Sequence, residues 1–253
     1  MSAFILKIIA MVSMVCDHAA GALYLPQPFL WDAGRLAFPL YALMLVDSYR
    51  HLKEHPERLK KYVVTLAALS VVSEFAYDLA FAGTWVTFIG QNQILQFLTF
   101  VLAAILAERI PKRFLKVLFW IAVMLGNQFC RMGYYALGIV AMLLFWWYLE
   151  HFEEWSLGKR FPGAAAVMGI YWIGCEAQEL IMYPDPAVRN GTIYWNAVFS
   201  GLASYAVVLL LIPVIALYNG QYGNPPKWFK VVYRYFYPAH LFILALIAFL
   251  MRR

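Results

Sequence analysis

Residues 3–24 read AFILKIIAMVSMVCDHAAGALY. Lys7 is the sole charge before Asp17, so the run is long and apolar enough for one helical crossing of a bilayer core of ~30 Å. The run also imitates a cleavable leader, with a cation, an apolar stretch and small residues at its end. Asp17 and His18 interrupt it where a leader is bland, and we read it as a retained first span.

The same composition extends over the whole chain. Of 253 residues, 64% are hydrophobic and 13% charged, against ~45–50% and ~25% in soluble domains. These values exclude a water-soluble globule, a disordered chain and a small disulfide scaffold. A nucleic-acid binder is excluded too: the net charge of +6 comes from short basic clusters between apolar runs, where it sets membrane orientation. The sequence predicts an all-α, polytopic transmembrane bundle of about nine spans, with one domain over residues 1–253. The spans are expected near 3–24, 34–50, 61–82, 92–109, 114–129, 133–150, 163–183, 196–217 and 234–251.

Four alternate loops hold fourteen Lys and Arg residues, from Arg50 to Arg234, whereas the other four hold Arg35, Arg131 and Arg189. The basic side is expected to be cytoplasmic. The N-terminus is then inside, in the cell's inner membrane, and Arg252 and Arg253 violate the rule. Trp31, Tyr194 and Trp195 suit an outer aromatic belt, Trp228 and Tyr233 an inner one. Cys16, Cys130 and Cys175 show no paired spacing, and no metal is expected. Phosphate loops, HExxH, GxSxG and calcium-loop signatures are absent from the sequence.

Ionisable groups inside a membrane are costly and mark function. In the expected topology they gather in one half: Asp17, His18, Arg35, Glu74, Asp78, Asn92, Gln96, Tyr135, Glu176, Glu179 and Asn196. A single polar cavity accounts for this clustering, and His18, Arg35 and Glu74 are expected to share it. Asp17 and His18, being adjacent, lie ~100° apart on a helix and address different neighbours. A histidine balanced between burial and a nearby carboxylate serves as a general base near neutral pH. Arg35, in Gly34-Arg35-Leu36-Ala37-Phe38-Pro39, can clamp an anion. Glu74 and Asp78 share one helix face, where they either neutralise the arginine or hold an amine or hydroxyl.

Several motifs, taken in order, resemble the conjugal transfer TraX proteins, relatives of the multi-helix membrane acyltransferases. They are Leu6-Lys7-Ile8-Ile9-Ala10 with Asp17-His18, Gly34 to Pro39 with Tyr41-Ala42, Ser73-Glu74 to Asp78, Tyr135-Ala136-Leu137-Gly138, Leu217-Tyr218-Asn219-Gly220, and Tyr235-Phe236-Tyr237-Pro238-Ala239-His240-Leu241. One departure stands before Tyr134, where Cys130-Arg131-Met132-Gly133 replaces an acidic Asp-Tyr-Gly. The resemblance implies an acetyl- or acyltransferase that draws on cytoplasmic acetyl-CoA and modifies a peptide or glycan acceptor; the type member acetylates a pilin N-terminus.

On that reading His18, Asp17, Arg35 and Glu74 are the expected catalytic residues. Asp78, Asn92, Gln96, Tyr135 and Glu176 would bind the acceptor. Tyr41, Tyr218, Asn219, Lys227, Tyr237 and His240 would bind the donor, with His240 able to stand in for His18. The competing expectation is a small-molecule or proton-coupled transporter, since proton relays use the same residues. A scaffold would leave the clustered charges unexplained.

Overall fold

The computed structural model describes residues 1–87, 90–182 and 192–251, without the side chains of 179–182 and 192–198. Arg189, Arg252 and Arg253 therefore lie outside the described residues, and so do the side chains of Glu179, Tyr194, Trp195 and Asn196. Among the described residues the regular structure is all helical. In order the helices are α1 (Ala3–Ala22), α2 (Pro28–Gly34), α3 (Ala37–Leu52), α4 (Pro56–Phe81), α5 (Gln93–Glu108), α6 (Arg113–Phe129), α7 (Tyr135–His151), α8 (Leu157–Met182), α9 (Thr192–Tyr205), α10 (Leu211–Ala216) and α11 (Lys227–Met251). Among the described residues, five segments are long and apolar enough to cross a membrane: 3–22, 28–52, 56–81, 199–216 and 227–251. Two shorter helices, α5 and α7, are also apolar.

Local chemistry sets where these helices begin and bend. Pro28 and Pro56 occupy first-turn positions, where a missing N–H costs nothing. The expected span at 34–50 is α3, and the short α2 extends it backward to Pro28, the chain turning at Arg35-Leu36 between the two. The expected span at 196–217 divides into α9, a 3-10 turn at Ala206–Leu210 and α10. Proline inside α11, at Pro238, takes the N–H that would have bonded back to Arg234.

α3 lies at the centre, with Leu40, Ala42, Leu43, Val46 and Tyr49 fully buried. It packs on α1 and α7, while α4 and α11 form the most extensive helix pair. The principal core joins these residues to Phe100, Met142, Phe145 and Ile215. A second, smaller core is made by Ala22, Ala76, Ala80, Leu241, Leu244 and Ala245. Its alanines allow α1, α4 and α11 to approach closely, as small residues do between helices in lipid. Outward-facing Phe114, Val117, Leu118, Ile121 and Leu125 on α6 are exposed, an apolar surface that suits a bilayer and not water. Together with the apolar helices, this is the surface of a membrane protein.

Candidate functional site

α1, α4 and α11 start at the same end of the bundle, because Lys7 stacks on Tyr233, and residues some fourteen positions into α1 and α11 meet again at His18 and His240. Between these levels lies a cavity of about 460 Å³. Lys7, Arg58, Lys61, Lys230 and Arg234, all from the first eight residues of the three helices, line its basic end. Among the described residues its lining contains no carboxylate, and the Lys7 Nζ sits 4.3 Å from the centroids of both Tyr222 and Tyr233. The walls are apolar, from Met44, Leu66, Leu69 and Phe97, and the deep end reaches Gln93, Phe236 and Tyr237.

That deep end stops one helical turn from two histidines. Met14 and Phe236 line the cavity, and His18 and His240 follow each of them by four residues. His18 Nδ1 lies 2.6 Å from His240 Nε2, and His240 Nδ1 lies 2.7 Å from the Phe236 carbonyl oxygen. The two imidazoles are within 5° of parallel. The Phe81 and Tyr237 rings stand nearly perpendicular to His18, with centroids at 5.6 and 5.7 Å. The small alanine-rich core seals the pair on its far side, since Ala22 and Leu244 each stand one turn beyond a histidine.

Asp17 looks elsewhere. With Trp31, Arg35, Tyr134, Tyr171 and Tyr205 it lines a second, smaller chamber of about 210 Å³. The Arg35 guanidinium lies over the Tyr205 ring, 3.5 Å from its centroid. Its ion pair is with Asp32 at 3.8 Å, and Asp32 also accepts a hydrogen bond from the Ser204 hydroxyl at 2.9 Å. Arg35 Nε is buried without a hydrogen-bond partner. Asp17 and Arg35 therefore face one chamber as opposite charges without forming an ion pair. Ser13 fastens α1 to this turn by donating to the Ala33 and Gly34 carbonyls.

Glu74 does not join either group. Its Oε2 accepts from the Asn92 backbone N–H at 3.0 Å and from the Asn92 side chain. Asn92 in turn caps α5, its side-chain oxygen accepting from Ile94 and Leu95. The Glu74 Oε1 is buried without a hydrogen-bond partner. His18, Arg35 and Glu74 are thus not in one pocket. Tyr237 stands between two of them, its ring beside His18 and its hydroxyl accepting from the Gln93 N–H, next to the Asn92 that holds Glu74.

The remaining expected acceptor residues hold the scaffold. Asp78 accepts from Thr87 backbone N–H at 2.6 Å and hydroxyl at 3.2 Å, closing the loop after α4. Gln96 is fully buried; its amide donates to Asn127, Met132 and Tyr135 oxygens, and its carbonyl accepts from Tyr134 N–H at 3.0 Å. It thereby clamps the α6–α7 turn, where Arg131, Gly133 and Tyr135 all have positive φ. A side chain at Gly133 would fall 2.8 Å from the Gln96 Oε1. Buried Glu176 fills the space beside Gly201.

Of the expected donor residues, Tyr41 and Tyr237 line the large cavity and His240 pairs with His18. Tyr218 is buried and donates to Asp47 at 2.7 Å, Asn219 turns its loop by accepting from Gln221, and Lys227 starts α11 off the lining. Lys7 is a cavity-lining residue absent from the expected set, and its signal is the spacing of Lys7, Met14 and His18 at seven and four residues, which puts them on one face of α1. Tyr171 and Tyr205 carried no comparable signal.

The family model described as TraX protein matches residues 2–248. No curated protein and no solved structure matches the chain.

Proposed function

The chain belongs to the TraX family, and from that membership and the large cavity we propose that it is a membrane-embedded acyltransferase using acyl-CoA. The observation that carries this reading is the convergence, among the described residues, of five cations with no carboxylate on a cavity that runs to within one turn of His18. Such a cluster needs an anionic occupant, and several cations together suit the phosphates of coenzyme A. At about 460 Å³ the cavity falls in the ~300–1,000 Å³ range of small-molecule sites. It takes the pantetheine arm and an acetyl or other short acyl group, with the nucleotide held at the basic end.

The reaction is direct transfer. The acceptor, an amine or hydroxyl on a peptide or sugar, enters beside the chamber of Asp17 and Arg35, which hold its polar groups. Its nitrogen or oxygen bonds to the thioester carbonyl carbon as His18 removes its proton; the carbon–sulfur bond then breaks, and the thiolate takes that proton from His18. Glu74 and Asn92 act by fixing the start of α5 at the cavity's deep end. We assign the chain nine spans with the basic side and N-terminus in the cytoplasm, in the inner membrane, so that donor and basic end meet on the same side.

Purified protein in bilayer discs should release free coenzyme A from acetyl-CoA when acceptor is present, and His18→Ala should abolish the release at unchanged folded yield. Mass spectrometry of peptides and glycans from cells with and without the gene should reveal an acyl-group mass difference. Solute flux into liposomes without any acyl transfer would instead establish a transporter.

A further inference from the structure

The histidine pair determines its own hydrogen positions. The Phe236 carbonyl can only accept, so His240 Nδ1, 2.7 Å away, carries a hydrogen. In a neutral imidazole the other nitrogen is then an acceptor. That nitrogen, Nε2, faces His18 Nδ1 at 2.6 Å, so His18 donates through Nδ1. It follows that His18 is the Nδ1–H tautomer and that its lone pair is on Nε2. The near-parallel rings suit an in-plane N–H···N bond, and the perpendicular rings of Phe81 and Tyr237 pack against His18.

We propose that His240 is a positioning residue, which locks His18 in the tautomer whose Nε2 is free to act as a base. The catalytic part of this inference rests on the acyltransferase reading; the tautomer does not. During transfer Nε2 accepts the proton of the attacking amine or hydroxyl while the bond to the thioester carbon forms. It returns that proton to the leaving thiolate as the carbon–sulfur bond breaks. The hydrogen on Nδ1 stays in place throughout, and His240 neither gains nor loses one. Without His240 the ring is free to place its hydrogen on Nε2, where no base remains. The role differs from direct participation by His240, because any acceptor at the position of its Nε2 can fill it.

The test uses the full chain with 15N-labelled histidine in lipid bilayers, His18 being assigned among the five histidines by comparison with His18→Ala. The expected spectrum has a protonated, pyrrole-type Nδ1 and a bare, pyridine-type Nε2 on neutral His18. In His240→Leu the hydrogen should move to Nε2, and kcat should fall on the order of a hundredfold, the lower range of a general base's contribution, with KM for acetyl-CoA unchanged. His240→Gln, whose side-chain carbonyl can accept from Nδ1, should restore the Nδ1–H tautomer and most of kcat. A wild-type His18 bearing its hydrogen on Nε2 would overturn the inference whatever the enzyme assay gives. So would His240→Leu with undiminished kcat. A wild-type protein with the expected spectrum and no acyl transfer would uphold the tautomer and refute the enzymatic reading alone.

Discussion

Gly34 lies directly against Asp17: a Cβ placed on Gly34 would stand 2.6 Å from Asp17 Oδ1 and 2.8 Å from its Cα. The α2–α3 turn can thus reach α1 only because position 34 has no side chain. Arg35 follows immediately, so this contact sets where the guanidinium stands relative to the carboxylate.

Gly34→Ala should therefore push Asp17 aside and narrow the small chamber. Overpacking of this kind costs about 1–3 kcal/mol, which should appear as a lower unfolding temperature in detergent. Turnover should fall further than stability requires, because Asp17 and Arg35 separate. An alanine variant as stable and active as the wild type would remove the contact from the site.

Arg35→Lys tests the chamber by another route. Lysine keeps the charge but loses the planar group that stacks on Tyr205. The expected result is a drop in kcat on the order of tenfold, about 1.4 kcal/mol, with KM for acetyl-CoA unchanged, since Arg35 does not line the donor cavity. Initial rates at varied acetyl-CoA would separate the two constants.

At the basic end, Lys230→Glu should raise KM for acetyl-CoA on the order of tenfold and leave kcat nearly intact. Added salt should weaken wild-type binding and shrink the difference between the two proteins, as screening predicts. The same reversal at exposed Lys112, away from the cavity, should change neither constant. Equal effects at both positions would show that net surface charge, and no built site, attracts the donor.

Gln96→Leu should cost about 3 kcal/mol, because it strands several buried groups of the α6–α7 turn at once. Tyr134 rides on that turn into the small chamber, so the loss should also lower activity in the fraction that remains folded. Denaturation in mixed micelles gives the first quantity, and specific activity per folded molecule the second.

The helical, membrane-protein character of the chain was legible because hydropathy and length speak directly to it, and five segments among the described residues are long and apolar enough to cross a bilayer. Asp17 and His18 stood out since an apolar run has no packing reason to include them, and the 100° between them correctly implied separate neighbours. What one-dimensional reading could not supply was which distant helix each would meet. His240 is 222 residues from His18, and only the parallel packing of α1 with α11 joins them. Polar residues also look alike whether they bind ligand or hold a turn. Gln96, Asn92 and Asp78 were read as acceptor contacts because polarity at one depth drew them together; the structure engages each in local hydrogen bonds. Lys7 suffered the opposite neglect, since a lone cation near a chain start reads first as a topology marker.

Because consecutive residues of α1 serve different chambers, the phase of that helix carries information that no single side chain does. Deleting one residue between Lys7 and Asp17 would turn everything beyond it by ~100°, swinging His18 away from His240 while leaving composition and hydropathy almost untouched. Evolution can exchange many of the apolar letters in this stretch, but it has little freedom to change their number.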